Sequence, residues 1–105
     1  MADDLLRCKL GHDGTETLFA MGELDISTVP TLEHAVSDAL DGQGEEFRLD
    51  LSQLTFMDST GAKSLFHLHE RLDGLGRRLV VVSPTDAVRM VLEILGLDQV
   101  IDIHA

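Results

Sequence analysis

Tryptophan and tyrosine are absent, cysteine occurs once, proline twice, and lysine plus arginine number 8 against 19 aspartates and glutamates. The missing indole and phenol rings remove most of the ultraviolet signal and exclude no function. A lone Cys8 rules out an internal disulfide, has no metal-ligand spacing around it, and reads as a buried strand thiol in a reducing compartment. Nowhere do about 18 apolar residues run together, so no membrane-spanning helix is expected. The opening "MADDLLRCKL" lacks the basic lead and apolar core of a signal peptide, and the expected compartment is the cytoplasm. A net charge of −11 disfavours nucleic-acid backbones and anionic membrane surfaces as direct partners. It favours encounter with a basic surface on another protein.

Catalytic signatures are missing too. There is no GxxxxGK[ST] loop, no GxGxxG after a strand and no G-x-S-x-G elbow. Nothing in the sequence brings a histidine to Ser59. His67 and His69 are two apart on an expected helix and point to different sides, while His12, His34 and His104 are scattered. A receiver-type phosphoacceptor domain would need paired acids after its first strand and a late-strand lysine, and "LVVVS" carries none. No metal, no cofactor and no enzymatic activity are expected.

What is present is a chain of 105 residues with 44% hydrophobic content, enough for one domain over residues 1–105 and one modest core. "LLRCKLGH" and "ETLFAMG" read as strands joined at Asp13-Gly14, a common hairpin pair. "GELDIST" comes next as a loop. Ser27 or Thr28 then caps a helix from Val29 to Leu40, with Pro30 in its first turn, and "DGQGEE" ends it. "FRLDLSQL" alternates as a half-buried strand. After it comes a helix of about four turns, with Ala62, Leu65, Phe66, Leu68, Leu72 and Leu75 on its apolar face and Gly74 and Gly76 at its end. "RRLVVVS" is a strand with a continuous apolar run. Ser83-Pro84 starts a last helix with Ala87, Val88, Val91, Leu92 and Leu95 inward and Gly96 closing it, and "QVIDIH" is a final strand. The order ββαβαβαβ describes an α/β fold with a mixed, mostly parallel sheet.

Between the third strand and the second helix lies "LTFMDSTGAKSLF", Leu54 to Phe66. Asp58 or Ser59 can cap the helix, and Asp58 suits the positive end of its dipole. Capping accounts for one such residue. It leaves Asp-Ser-Thr-Gly together unexplained, with Gly61 costing roughly 0.5–1 kcal/mol inside a helix. A residue without a side chain there could clear an approach to the Ser59 hydroxyl. Capping and a functional surface both stand at this point.

"GELDIST…VP", "LDLSQLTFMDSTGAKSL" and "RMVLEILGLDQVIDI", in that order, resemble the STAS domain of bacterial anti-sigma factor antagonists. The resemblance implies an antagonist whose unphosphorylated form binds an anti-sigma factor with serine kinase activity and so frees a sigma factor. It implies phosphorylation at Ser59, with Thr60 the second choice, as the off-switch, and a PP2C-type phosphatase to reverse it. ATP then belongs to the partner. The resemblance also implies a partner contact at Asp25, with Glu23 beside it, and a partner-facing surface at Asp58, Ser59 and Gly61, to which Lys63 is added as a neighbour. For Asp25, capping or holding its loop is the other reading, and for Asp58 capping is an equal one. The alternative function is a STAS scaffold or sensor module in a larger signalling assembly that does not act directly on an anti-sigma kinase. The sequence departs from the family at Ala62 and Lys63, where a leucine and a small residue are usual. Ala62 thins the packing. Lys63 is an unfavourable charge near a helix start, yet it stands four residues from Ser59, within reach of a phosphate there.

Overall fold

The computed structural model describes residues 5–12, 16–40 and 44–105. Five strands and three helices run in the order β1 (Leu6–His12), β2 (Glu16–Leu24), α1 (Val29–Ala39), β3 (Glu46–Met57), α2 (Ser59–Gly74), β4 (Arg78–Val82), α3 (Asp86–Ile94) and β5 (Asp102–His104). This is the ββαβαβαβ α/β order the sequence implies. The strands form one sheet in chain order, β1-β2-β3-β4-β5. β1 and β2 pair antiparallel and the remaining pairs are parallel. Each parallel step needs a crossover, and the three helices supply it. The expected Asp13-Gly14 turn and most of "DGQG" lie outside the described residues.

The core sits between the sheet and the helices. Phe47, Leu49 and Leu51 of β3 share one buried cluster with Leu32 and Val36 of α1, Leu65 and Leu72 of α2, and Val88 and Leu92 of α3. In β4, Leu79 and Val81 join that cluster, whereas Val80, equally buried, points to the other face. That explains its unbroken apolar run. On the face that Val80 shares, Arg78 bridges Glu46 of β3 and Asp102 of β5, while Arg48 and His104 sit against Glu46 and Asp102 within their own strands.

β3 is longer than its alternating segment. Buried positions fall at 47, 49 and 51, then at 54 and 57. The change from steps of two to steps of three coincides with two register irregularities against β2, between Phe19 and Met21 and between Gly22 and Glu23, each placing an extra residue on β3. A bulge of this kind bends the strand and re-aims the residues beyond it. Here it exposes Thr55 and Phe56, buries Met57, and carries "TFM" to the end of the sheet instead of leaving it as loop. Gly22 sits at the second irregularity with φ +116, where an added Cβ would lie 2.1 Å from the Leu5 carbonyl oxygen.

Several boundaries move from the sequence expectation. β2 runs on through "GEL" because it pairs with the bulged end of β3. α3 begins at Asp86, not at Pro84: Ser83 adopts φ 52 and its N–H donates to the His104 carbonyl at 2.6 Å, holding the chain on the sheet edge before the helix can start. The stretch before β5 is a 3-10 turn at Leu97–Gln99, which leaves only three residues of strand. Leu75, Ala87 and Leu95, expected inward, are exposed. Leu75 and Leu95 both lie past the last turn of their helices, so the helical period no longer orients them.

Candidate functional site

β2 and β3 end level, Leu24 against Met57. The next residue after each strand is an aspartate, Asp25 after β2 and Asp58 after β3. The Asp58 N–H donates to the Leu24 carbonyl at 3.3 Å. The two loops are thereby tied together at the carboxyl ends of parallel strands, the edge at which α/β sheets meet their ligands.

Asp58 is the cap of α2. Its backbone is extended, with φ −100 and ψ −175, and its Oδ1 accepts from the Gly61 N–H at 2.8 Å. With the cap supplied by Asp58, the next two hydroxyls are left over. Ser59 and Thr60 open the helix, both are exposed, and among the described residues neither hydroxyl takes a hydrogen bond. Of the two capping candidates, Asp58 caps and Ser59 does not.

Gly61 has a different reason to be glycine than clearing a path to Ser59. It is buried, and a Cβ there would stand 2.6 Å from the Leu24 carbonyl oxygen, 2.9 Å from Leu24 Cγ and 3.0 Å from Met57 Cγ. The first turn of α2 therefore sits directly on the ends of β2 and β3. Gly61 holds the hydroxyls in position from behind instead of facing a partner. Ala62 beside it is fully buried in the core. Ser64 closes the turn by donating from Oγ to the Gly61 carbonyl at 2.6 Å.

Lys63 is exposed, and among the described residues it forms no ion pair, with Asp58 or any other acid. Together with Ser59, Thr60 and Phe66 of α2, and with Leu95 and Leu97 from the end of α3, it lines an open groove of ≈ 420 Å³. Lys63 is the only charged residue of that lining among the described residues. The apolar wall was not legible in the sequence as a surface. Leu95 follows the apolar spacing of α3 in the sequence, but α3 ends at Ile94, and with the left-handed Gly96 between them Leu95 and Leu97 both line the groove instead.

The Asp25 loop is built around its own carboxylate. Oδ1 accepts from the Ser27 hydroxyl at 2.7 Å, from the Ser27 N–H at 2.9 Å and from the Thr28 N–H at 3.2 Å. The Ser27 hydroxyl's hydrogen bond holds the Asp25 carboxyl below its ordinary pKa; partial desolvation works against this, and the two backbone N–H groups add to it. Thr28 donates from Oγ1 to the Glu23 carbonyl at 2.9 Å and accepts from the Asp25 N–H at 2.9 Å. Neither Ser27 nor Thr28 caps α1 with its side chain. Asp25 thus holds its loop, and the loop presents Ile26 at its tip with 74% of its surface exposed. Glu23 lies on β2, paired with Phe56, which is itself exposed.

The structure brings Asp25, Asp58, Ser59, Thr60, Gly61 and Lys63 to one end of the molecule. It offers exposed hydroxyls, a lysine and scattered apolar side chains on loops tied by the Asp58 hydrogen bonds. Such a surface can be docked against and modified.

The same fold and the same sequence pattern occur in known proteins. Residues 9–105 match the model of the STAS domain. The chain is 30% identical over 86 residues to the anti-sigma-B factor antagonist of Listeria monocytogenes, covering 82% of this chain and 75% of that protein. It is 30% identical over 88 residues to the anti-sigma-F factor antagonist RsfB of Mycobacterium tuberculosis, covering 84% and 71%. The crystal structure of an anti-sigma factor antagonist from Mycobacterium paratuberculosis superposes with a TM-score of 0.82 at 28% identity, over 96% of this chain and 86% of that one.

Proposed function

The chain belongs to the STAS domain family, and on that footing we propose that it is an anti-sigma factor antagonist switched by phosphorylation of Ser59. Its partner is an anti-sigma factor with serine kinase activity. Unphosphorylated, the protein occupies that partner and frees a sigma factor. The partner's ATP phosphorylates Ser59, with Thr60 the second acceptor, and a PP2C-type phosphatase restores the active form. The domain itself works by binding, with no catalysis of its own.

One observation carries this reading: Asp58 satisfies the helix cap, so the Ser59 hydroxyl has no structural task and stands exposed at the rim of a groove. A hydroxyl free of internal bonds can be modified without dismantling the fold. Phosphate adds about −1.5 to −2 charge and three strong acceptors. In the free domain that charge stays in water. In a docked interface it must be desolvated beside Asp58, which disfavours the complex. Asp25 supports the same surface by fixing the loop that carries Ile26, and Lys63 contributes from the groove.

Affinity for the source organism's anti-sigma factor, measured by calorimetry on unmodified and Ser59-phosphorylated protein, tests the switch. The expected result is at least a tenfold loss on phosphorylation. Equal affinities would overturn it.

A further inference from the structure

Among the described residues, Lys63 stands on this surface with no counterweight in the unmodified chain. The protein has only 8 basic residues, and one of them stands near the start of a helix, where the dipole opposes a cation. Asp58, the nearest acid in sequence, has committed its Oδ1 to the Gly61 N–H, and Lys63 pairs with no other acid among the described residues. Helical side chains lean toward the N-terminus over the face of the residue four before them. For Lys63 that residue is Ser59. The two line the same groove with the uncharged Leu95 and Leu97, and Thr60 and Phe66 complete its α2 side.

We propose that Lys63 is the positioning residue for a phosphoryl group on Ser59, closing on it as an intramolecular ion pair and lengthening the life of the phosphorylated state. The inference rests on the Ser59 switch and concerns how long that switch stays set. In the forward step Ser59 Oγ bonds to the γ-phosphorus of the partner's ATP, gives up its proton and releases ADP. In the reverse step water adds to phosphorus, Ser59 Oγ leaves carrying a proton, and inorganic phosphate departs. Lys63 makes and breaks no bond in either. Its ammonium competes with the phosphatase for the phosphate oxygens as an exposed, salt-screened pair.

The test uses protein with phosphoserine installed at position 59 during translation, so no kinase is needed. The phosphate of wild type, K63A and K63R is titrated by phosphorus NMR. The second ionisation in wild type is expected about 0.3–0.5 pH unit below that of K63A, since an adjacent cation favours the dianion. K63R restores the wild-type value, and the gap narrows near 1 M salt. A PP2C-type phosphatase is expected to clear K63A two- to threefold faster, roughly the same interaction expressed as a rate. Superimposable titrations overturn the pairing, and equal clearance overturns its consequence. Either failure leaves the Ser59 switch intact. The switch fails by a separate readout, when the phosphoserine protein binds the anti-sigma factor as tightly as the unmodified one.

Discussion

Asp58 and Ser59 are adjacent, chemically similar as caps, and differ completely in use. The extended backbone at Asp58 aims its carboxylate at the Gly61 N–H. Asp58→Ala should therefore lower stability by about 1 kcal/mol, while Ser59→Ala should change it by less than about 0.5 kcal/mol. Urea unfolding tracked by circular dichroism would measure both, since the chain has no tryptophan or tyrosine to report by fluorescence. Asp25 gives a pH signature. Its folded-state pKa is lowered, so its contribution is fully present above the unfolded carboxylate value and is lost as pH falls through the lowered folded one. Asp25→Asn keeps an acceptor but removes the charge, and the acid limb of the stability profile should become flatter. An unchanged limb would remove Asp25 as the loop's electrostatic anchor. The acidic loop and the Asp-Ser-Thr-Gly stretch could be read from the chain. Which residue capped could not, because both candidates carry an acceptor at the right spacing and only backbone geometry separates them.

At the scale of elements, the bulged end of β3 and the first turn of α2 form one device. The bulges carry "TFM" to the sheet end, Met57 turns inward, and Gly61 settles on Leu24 and Met57. Gly61→Ala gains roughly 1 kcal/mol of helix propensity but places a Cβ 2.6 Å from a backbone oxygen that cannot rotate away. Overpacking of this kind costs about 1–3 kcal/mol, so the clash wins and the urea midpoint should fall. Binding should weaken as well, because the helix start that presents Ser59 must shift. A midpoint that rises would mean the turn has slack. The positions of the elements were legible because helical and strand periods are strong over "FRLDL", "SLFHLHERL" and "VVV". Their ends were less so. The period of two breaks within β3, and the left-handed Ser83 delays α3, both through sheet contacts distant in sequence.

Over the whole molecule, a net charge of −11 on 105 residues gives an acidic body. Encounter with a basic partner surface should be steered, so the association rate should fall at least several-fold from low to about 0.5 M salt while dissociation changes little. Stopped-flow mixing with the anti-sigma factor would measure it, and a salt-independent rate would place the net charge outside recognition. Strand and helix periods along the chain made the architecture readable, and the order of three separated motifs carried the family resemblance. The groove wall from Leu95 and Leu97 was not readable, since it depends on α3 ending beside α2. The proposed switch turns on Ser59 as the modified residue. Its most direct measurement incubates the purified chain with ATP and cytosol of its source organism and maps phosphate by peptide mass spectrometry, with Ser59→Ala in parallel. Phosphate on Ser59, and its loss in the variant, is the expected result. An unmodified Ser59, in an extract that phosphorylates a control substrate, would contradict the switch.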